Sequence, residues 1–108
     1  MGVHSLGRPI DRERIALMGF SAGGHLAALA GATADTGALD PAQPEGQPRK
    51  HMPVRCVVSI GGPMRLSGST NPRIETILTA WIGPRDKQGL GRRALYSPVR
   101  WVNGGDPP

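Results

Sequence analysis

The sequence of 108 residues predicts an α/β fold with two parallel strands, a helix between them and a second, amphipathic helix. An apolar run around Ile15 passes directly into the helix-forming residues 26–30, which end at glycine. A second apolar run at 54–60 is rich in valine and stops at two glycines and a proline. Periodic apolar positions between 72 and 82 indicate a helix with one apolar face. Strands and helices that alternate in this way are typical of a parallel sheet covered by helices.

The flanking residues set the expected bounds of the first three elements. Residues 11–13 are turn formers that lead into the first strand, and the following helix is predicted from Ala22 to Thr33. The long stretch 34–53 contains four prolines with glycine and glutamine, so it is predicted to be an irregular, mobile connection. The second strand is predicted over 54–60.

The second helix has clear start and stop signals. Asn71 is a favourable N-cap, Pro72 suits the first helical position, and Gly83 with Pro84 ends the helix. Its apolar stripe consists of Ile74, Ile77, Leu78, Trp81 and Ile82 and requires a partner surface. The remainder, 85–108, is predicted to be mostly loop.

Ser21 lies in a G-x-S-x-G pattern formed by residues 19–23, between the first strand and the first helix. Gly19 and Gly23, with Gly24 beside them, are expected to leave room for a sharp turn that exposes the serine hydroxyl. Ser21 is therefore a candidate nucleophile. The backbone N–H of Ala22 belongs to the start of the helix, where unsatisfied donors and the helix dipole favour an oxyanion.

A structural explanation of the same pattern is also available. A chain with 16 glycines is expected to contain such patterns by chance alone, and a glycine-rich turn after a strand is often only a tight connection. The strand before the serine and the helix after it favour the catalytic interpretation.

Composition narrows the remaining classes of function. The length allows one small domain, and the single cysteine, Cys56, excludes an intrachain disulfide and a multi-cysteine zinc site. The net charge of +5 comes from scattered cations without a nucleic-acid-binding pattern, so a nucleic-acid partner is not expected. No membrane-spanning stretch or signal peptide is recognised, and we expect a soluble protein. No metal or other cofactor is expected.

The residues around Ser21 resemble a known family. The segment 11–31, with G-x-S-A-G-G-H-L-A, is similar to the nucleophile elbow of α/β-hydrolase serine esterases of the acetyl esterase, acetylxylan esterase and feruloyl-esterase-like group. The segments 57–66 and 97–108 are similar to later parts of that fold. The resemblance implies that 1–108 is a central fragment of one domain, without the N-terminal strands and oxyanion loop and without the C-terminal Asp and His segments.

The histidines support this expectation. A triad in the order Ser, acid, His needs a histidine well after the serine, and only His51 lies far downstream of Ser21. His51 precedes the second strand, so it is expected at the amino-terminal edge of the parallel sheet. Ser21 is expected at the opposite, carboxyl-terminal edge. His25 lies on the nucleophile helix and is expected to have a packing role beside the site, and His4 is expected in a loop.

No acid of this chain is predicted as the triad carboxylate. The candidates considered are Asp35, Asp40, Asp86 and Asp106, and all four lie in or near predicted loops. The triad acid and base are therefore expected outside this chain, and the chain by itself is expected to be nearly inactive.

By resemblance, the complete protein is expected to be a carboxylic ester hydrolase that acts through an acyl-enzyme on a small-molecule or carbohydrate-linked ester. Exposed sheet edges would favour self-association. Alternatives are a noncatalytic α/β interaction module, a basic nucleic-acid-binding protein and a prolyl-oligopeptidase-type peptidase. The peptidases usually carry an aromatic residue where this chain has Ala22.

Overall fold

The computed structural model describes residues 7, 10–39, 53–69 and 71–108. Its order of elements is strand, helix, strand and then two helices with a final 3-10 turn, which confirms the predicted α/β class. The elements are β1 Ile15–Phe20, α1 Ala22–Thr33, β2 Val54–Ile60, α2 Pro72–Ile82, α3 Lys87–Leu95 and the 3-10 helix Pro98–Arg100. The bounds predicted for α1 and β2 are confirmed.

The two strands form a parallel sheet, as predicted. Met18 pairs with Val58 and Phe20 with Ile60, so the members of each pair lie on the same face. The helix α1 packs against both strands. It covers the opposite face, because a Cβ added to Gly31 would overlap the side chain of Val57. The strands and α1 are therefore in close contact, and a parallel crossover of this kind is the usual use of an intervening helix.

The other face of the sheet is open within the described part of the chain. Met18 is 72% exposed and Phe20 is 75% exposed. Their partners on β2, Val58 and Ile60, are also exposed, and Cys56 is half-buried. An apolar face of this extent is unusual for the surface of a monomeric protein.

A small core lies between α2, α3 and the segment that follows β2. It consists of the buried residues Leu66, Leu78 and Ile82, against which Tyr96 packs. The predicted N-cap of α2 is confirmed, because the Asn71 side chain accepts a hydrogen bond of 3.0 Å from the N–H of Arg73. The predicted apolar stripe is only partly covered among the described residues, since Ile74, Ile77 and Trp81 are exposed.

The prediction that 85–108 is mostly loop is wrong, because α3 spans Lys87–Leu95. Asp86 caps this helix by accepting a hydrogen bond of 2.7 Å from the N–H of Gly89. Gly89 lowers the local helix propensity, yet a Cβ at this position would overlap the carbonyl oxygen of Pro84. Gly89, which is unfavourable in an isolated helix, is thus required by the packing of α3.

An ion pair between α2 and α3 gives a second reason for this helix. The side chain of Arg93 is fully buried and donates a hydrogen bond of 2.5 Å to Glu75. It also donates to the hydroxyl of Thr79 and to the carbonyl of Gly83, at the end of α2. Arg92 donates to the carbonyl of Ile82, so both arginines satisfy acceptors at the C-terminus of α2.

Part of the predicted irregular connection over 34–53 is described. Residues 34–39 form turns after α1, whereas residues 40–52 lie outside the described residues. The turn predicted before β1 is confirmed by a hydrogen bond of 3.2 Å from the N–H of Arg14 to the carbonyl of Asp11. Among the described residues, no helix is long and apolar enough to span a bilayer.

The buried pair predicts an asymmetric response to substitution. Glu75→Leu leaves the guanidinium of Arg93 buried without a countercharge, which we expect to lower the free energy of unfolding by about 3 kcal/mol. The double variant Glu75→Leu with Arg93→Met is expected to lose less than this, because both charges are removed. Urea unfolding followed by circular dichroism measures both, and a double variant less stable than the single one would contradict the role given to the pair.

Candidate active site

Ser21 occupies a strained turn between β1 and α1. Its φ is 52° and its ψ is −118°, and it is the one non-glycine residue with a positive φ among the described residues. Such a conformation costs on the order of 1–3 kcal/mol and persists only where the surrounding structure imposes it. The backbone is held on both sides: the N–H of Ser21 donates to the carbonyl of Ile60 at 2.8 Å, and its carbonyl accepts from the N–H of His25 at 3.0 Å.

The hydroxyl of Ser21 is available for chemistry. The residue is exposed, and its side chain makes no capping hydrogen bond to α1. Ala22 follows as the first residue of α1, and within the described ranges no group accepts a hydrogen bond from its N–H. A nucleophilic oxygen thus lies beside an unsatisfied donor at the positive end of a helix.

Glycines bring the start of α1 against the end of β1. A Cβ at Gly19 would overlap the backbone carbonyl of Gly23, and a Cβ at Gly24 would lie 2.9 Å from the hydroxyl oxygen of Ser59. Both positions therefore need glycine for space. The steric expectation for Gly23 is not met, because a Cβ there would meet nothing within 4 Å. The space into which a Gly23 side chain would project is therefore open, and Gly23 approaches Gly19 only through its backbone.

The turn that follows β2 also contributes to the site, although the sequence did not predict it. A Cβ at Gly62 would overlap the N–H of His25 and the backbone of Gly24. Because parallel strands end at the same edge of a sheet, this turn lies beside the start of α1. The sequence signal for this contact is the pair of consecutive glycines, Gly61 and Gly62, which also ends the strand.

His25 is buried beneath the site rather than directed over the serine. It is 2% exposed, and its Nε2 lies 2.8 Å from the carbonyl oxygen of Tyr96, which places the proton on Nε2. Its ring contacts the ring of Trp81 edge to face, with centroids 6.1 Å apart. His25 thus connects the first turn of α1 to α2 and to the end of α3.

The three acid candidates that the structure describes have structural partners or an exposed position in a turn, and none is linked to Ser21 by a hydrogen bond. Asp86 caps α3, and Asp106 accepts hydrogen bonds from the backbone N–H and side-chain amide of Asn103. Asp35 is exposed in the turns after α1. The other candidates from the sequence, His4, Asp40 and His51, lie outside the described residues.

No constellation suited to a metal is found in the described part of the chain. Within it there is no group of three or more His, Cys, Asp and Glu residues close enough to hold an ion. Cys56, on β2, forms no disulfide.

A serine held with positive φ between a parallel strand and a helix defines an α/β-hydrolase-type arrangement, and two strands with three helices agree with part of that fold. The family model BD-FAE matches residues 6–108, and the chain belongs to this family. The family is part of the α/β-hydrolase-type esterase group, whose members are similar to bacterial feruloyl and acetyl esterases. No curated protein and no solved structure gave a significant match.

The glycine contacts predict opposite effects at the two ends of the motif. Gly19→Ala is expected to lower the free energy of unfolding by about 3 kcal/mol, because the added methyl group meets backbone that cannot rotate away. Gly23→Ala is expected to be neutral or to stabilise by about 0.5–1 kcal/mol, because it adds a better helix former in open space. Equal losses in urea titrations of the two variants would contradict this geometry.

The backbone strain at Ser21 has its own test. Glycine tolerates a positive φ, whereas alanine keeps the Cβ that causes the strain. Relief of this strain stabilises the folded glycine variant, whereas the greater entropy of glycine in the unfolded chain offsets part of the gain. Ser21→Gly is therefore expected to be more stable than Ser21→Ala by about 1 kcal/mol. The difference is measured from urea midpoints of the two variants, and a more stable alanine variant would show that the turn is relaxed.

Proposed function

We propose that this protein hydrolyses carboxylic esters through a covalent acyl-enzyme, with Ser21 as the nucleophile. The observation that carries the proposal is the strained backbone of Ser21, with φ of 52° in an exposed turn between β1 and α1. A fold keeps strain of this kind at few positions, and they cluster at functional sites. Membership of an esterase-type hydrolase family supports the same chemistry.

The proposed reaction has two stages. The Ser21 oxygen attacks the ester carbonyl carbon while a general base takes its proton, and the resulting oxyanion accepts a hydrogen bond from the N–H of Ala22. Collapse of this intermediate breaks the bond to the alcohol, which leaves with that proton. Water then attacks the acyl-enzyme with the same base, which releases the carboxylic acid and restores the serine.

We propose that the base and its orienting carboxylate come from sequence outside this chain. Among the described residues His25 is the only histidine, and its Nε2 is occupied by the carbonyl of Tyr96. A base must lie within hydrogen-bond reach of the serine hydroxyl, and the buried ring is directed toward Tyr96 instead. The N–H of Ala22 provides one oxyanion donor, and a second would come from an oxyanion loop, also outside this chain.

For the substrate we propose a small-molecule or carbohydrate-linked ester, in keeping with the esterase group to which the family belongs. The acyl-enzyme intermediate needs no cofactor, because the leaving alcohol takes its proton from the base. Gly23 leaves its side of the turn open, so a substrate carbonyl has room to approach the serine from that direction.

The nucleophile is tested by covalent labelling of the complete gene product that contains this chain. A fluorophosphonate probe is expected to modify Ser21, as located by mass spectrometry, and Ser21→Ala is expected to abolish labelling. Hydrolysis of p-nitrophenyl acetate is expected to fall by about 10⁴-fold or more in that variant.

The matched control is Ser69→Ala, which removes a half-buried hydroxyl in the segment before α2, where it accepts a hydrogen bond from the N–H of Asn71. Labelling and turnover should be unchanged in this variant. A probe adduct on another serine, or undiminished turnover in Ser21→Ala, would remove Ser21 from the mechanism. A folded gene product with neither labelling nor turnover would instead favour a noncatalytic role.

A further inference from the structure

A groove of about 240 Å³ lies between the segment that follows β2 and the junction of α3 with the 3-10 helix. It is separate from the residues that form the serine turn. Its lining combines two guanidinium groups, hydroxyls and a small apolar surface: Arg65, Ser67, Ala94, Ser97, Val99 and Arg100.

The two walls of the groove are held together by hydrogen bonds. The N–H of Val99 donates to the carbonyl of Met64 at 3.2 Å, and the N–H of Leu66 donates to the Ser97 hydroxyl oxygen at 2.9 Å. That hydroxyl in turn donates to the carbonyl of Arg93 at 2.7 Å. The hydroxyl of Ser97 therefore has a structural role in joining the two walls, and Leu66 is buried next to it. The groove thus has a defined shape before any ligand binds.

The charges in the groove are not neutralised. The two arginines of α3 have acceptors, since Arg93 pairs with Glu75 and Arg92 donates to the carbonyl of Ile82. Arg65 and Arg100 are exposed, and within the described ranges neither has an ion pair or a hydrogen-bond acceptor for its side chain. The lining contains no Asp or Glu. Two cations that line one groove without an acid repel each other, and a bound anion would offset this repulsion.

The arrangement of Arg100 suits anion binding. Its guanidinium carbon lies 5.6 Å from the centre of the Trp101 ring. A guanidinium beside an aromatic face keeps its N–H donors available in its own plane, where they match the two oxygens of a carboxylate. The half-buried hydroxyl of Ser67 adds a neutral donor to the same groove.

We propose that this groove binds the carboxylate of a small aliphatic acid. Arg65 and Arg100 contact the carboxylate oxygens, Ser67 donates a further hydrogen bond, and Ala94 and Val99 contact the carbon chain. The apolar part distinguishes this ligand from inorganic phosphate, which shares the oxyanion chemistry but gains nothing from apolar contact. The site does not depend on the proposed nucleophile.

The test is a titration of the chain with sodium butyrate, followed by ¹H–¹⁵N spectra at constant ionic strength. Butyrate is expected to bind in the millimolar range and to shift the amide signals of Leu66, Ser67 and Arg100. Acetate, with two fewer methylenes, is expected to bind about threefold or more weakly. Phosphate is expected to bind more weakly than butyrate, and binding at least as tight as butyrate would overturn the assignment to a carboxylate.

Variants separate the groove from the general positive charge of the protein. Arg65→Gln and Arg100→Gln are each expected to weaken butyrate binding about tenfold, since each removes one charge-assisted contact. Arg73→Gln removes the same charge from an exposed position on α2 outside the groove and should leave binding unchanged. Equal weakening by Arg73→Gln, or no butyrate binding by the unsubstituted chain, would overturn the proposal. The substituted side chains are exposed, and preserved signal dispersion checks that each variant is folded.

Discussion

The approach of α1 to the two strands through glycine is the contact on which the rest of the structure depends. Gly19, Gly24 and Gly62 bring backbone against backbone or against a serine hydroxyl, and at the far end of the helix Gly31 receives the side chain of Val57. A helix this close to the end of its strand leaves a single residue for the reversal of direction. The positive φ of Ser21 follows from that limit, because no further residue is available to share the turn.

Polar groups then attach the remaining elements to this centre. His25 donates to the carbonyl of Tyr96 and contacts Trp81, so the first turn of α1 is linked to both later helices. Arg93 joins these two helices by donating hydrogen bonds to one carboxylate oxygen of Glu75 and to the carbonyl of Gly83 at the end of α2. Both buried side chains have specific acceptors, and among the described residues the Nε of Arg93 and the Oε2 of Glu75 are the buried side-chain atoms without a hydrogen-bond partner.

The parts predicted from sequence were those governed by local rules. The bounds of α1 and β2, the Asn71 cap and the sharp turn at Ser21 depend on neighbouring residues and were recognisable as such. The helix α3 was not predicted because Gly89 and Gly91 have low helix propensity, and its packing depends on Arg93, whose partner Glu75 is distant in sequence. The role of Gly62 beside α1 was missed for the same reason: the contact joins two elements far apart in the chain.

The open face of the sheet has a thermodynamic consequence. Met18 and Phe20 are more than two-thirds exposed in the native state, so unfolding brings little of their surface newly into contact with water. The heat-capacity increment of unfolding grows with newly exposed apolar area and is usually about 12–15 cal/mol/K per residue. The open face therefore lowers this increment for the chain, and its curve of stability against temperature should be flatter than that of the same sheet with both faces covered.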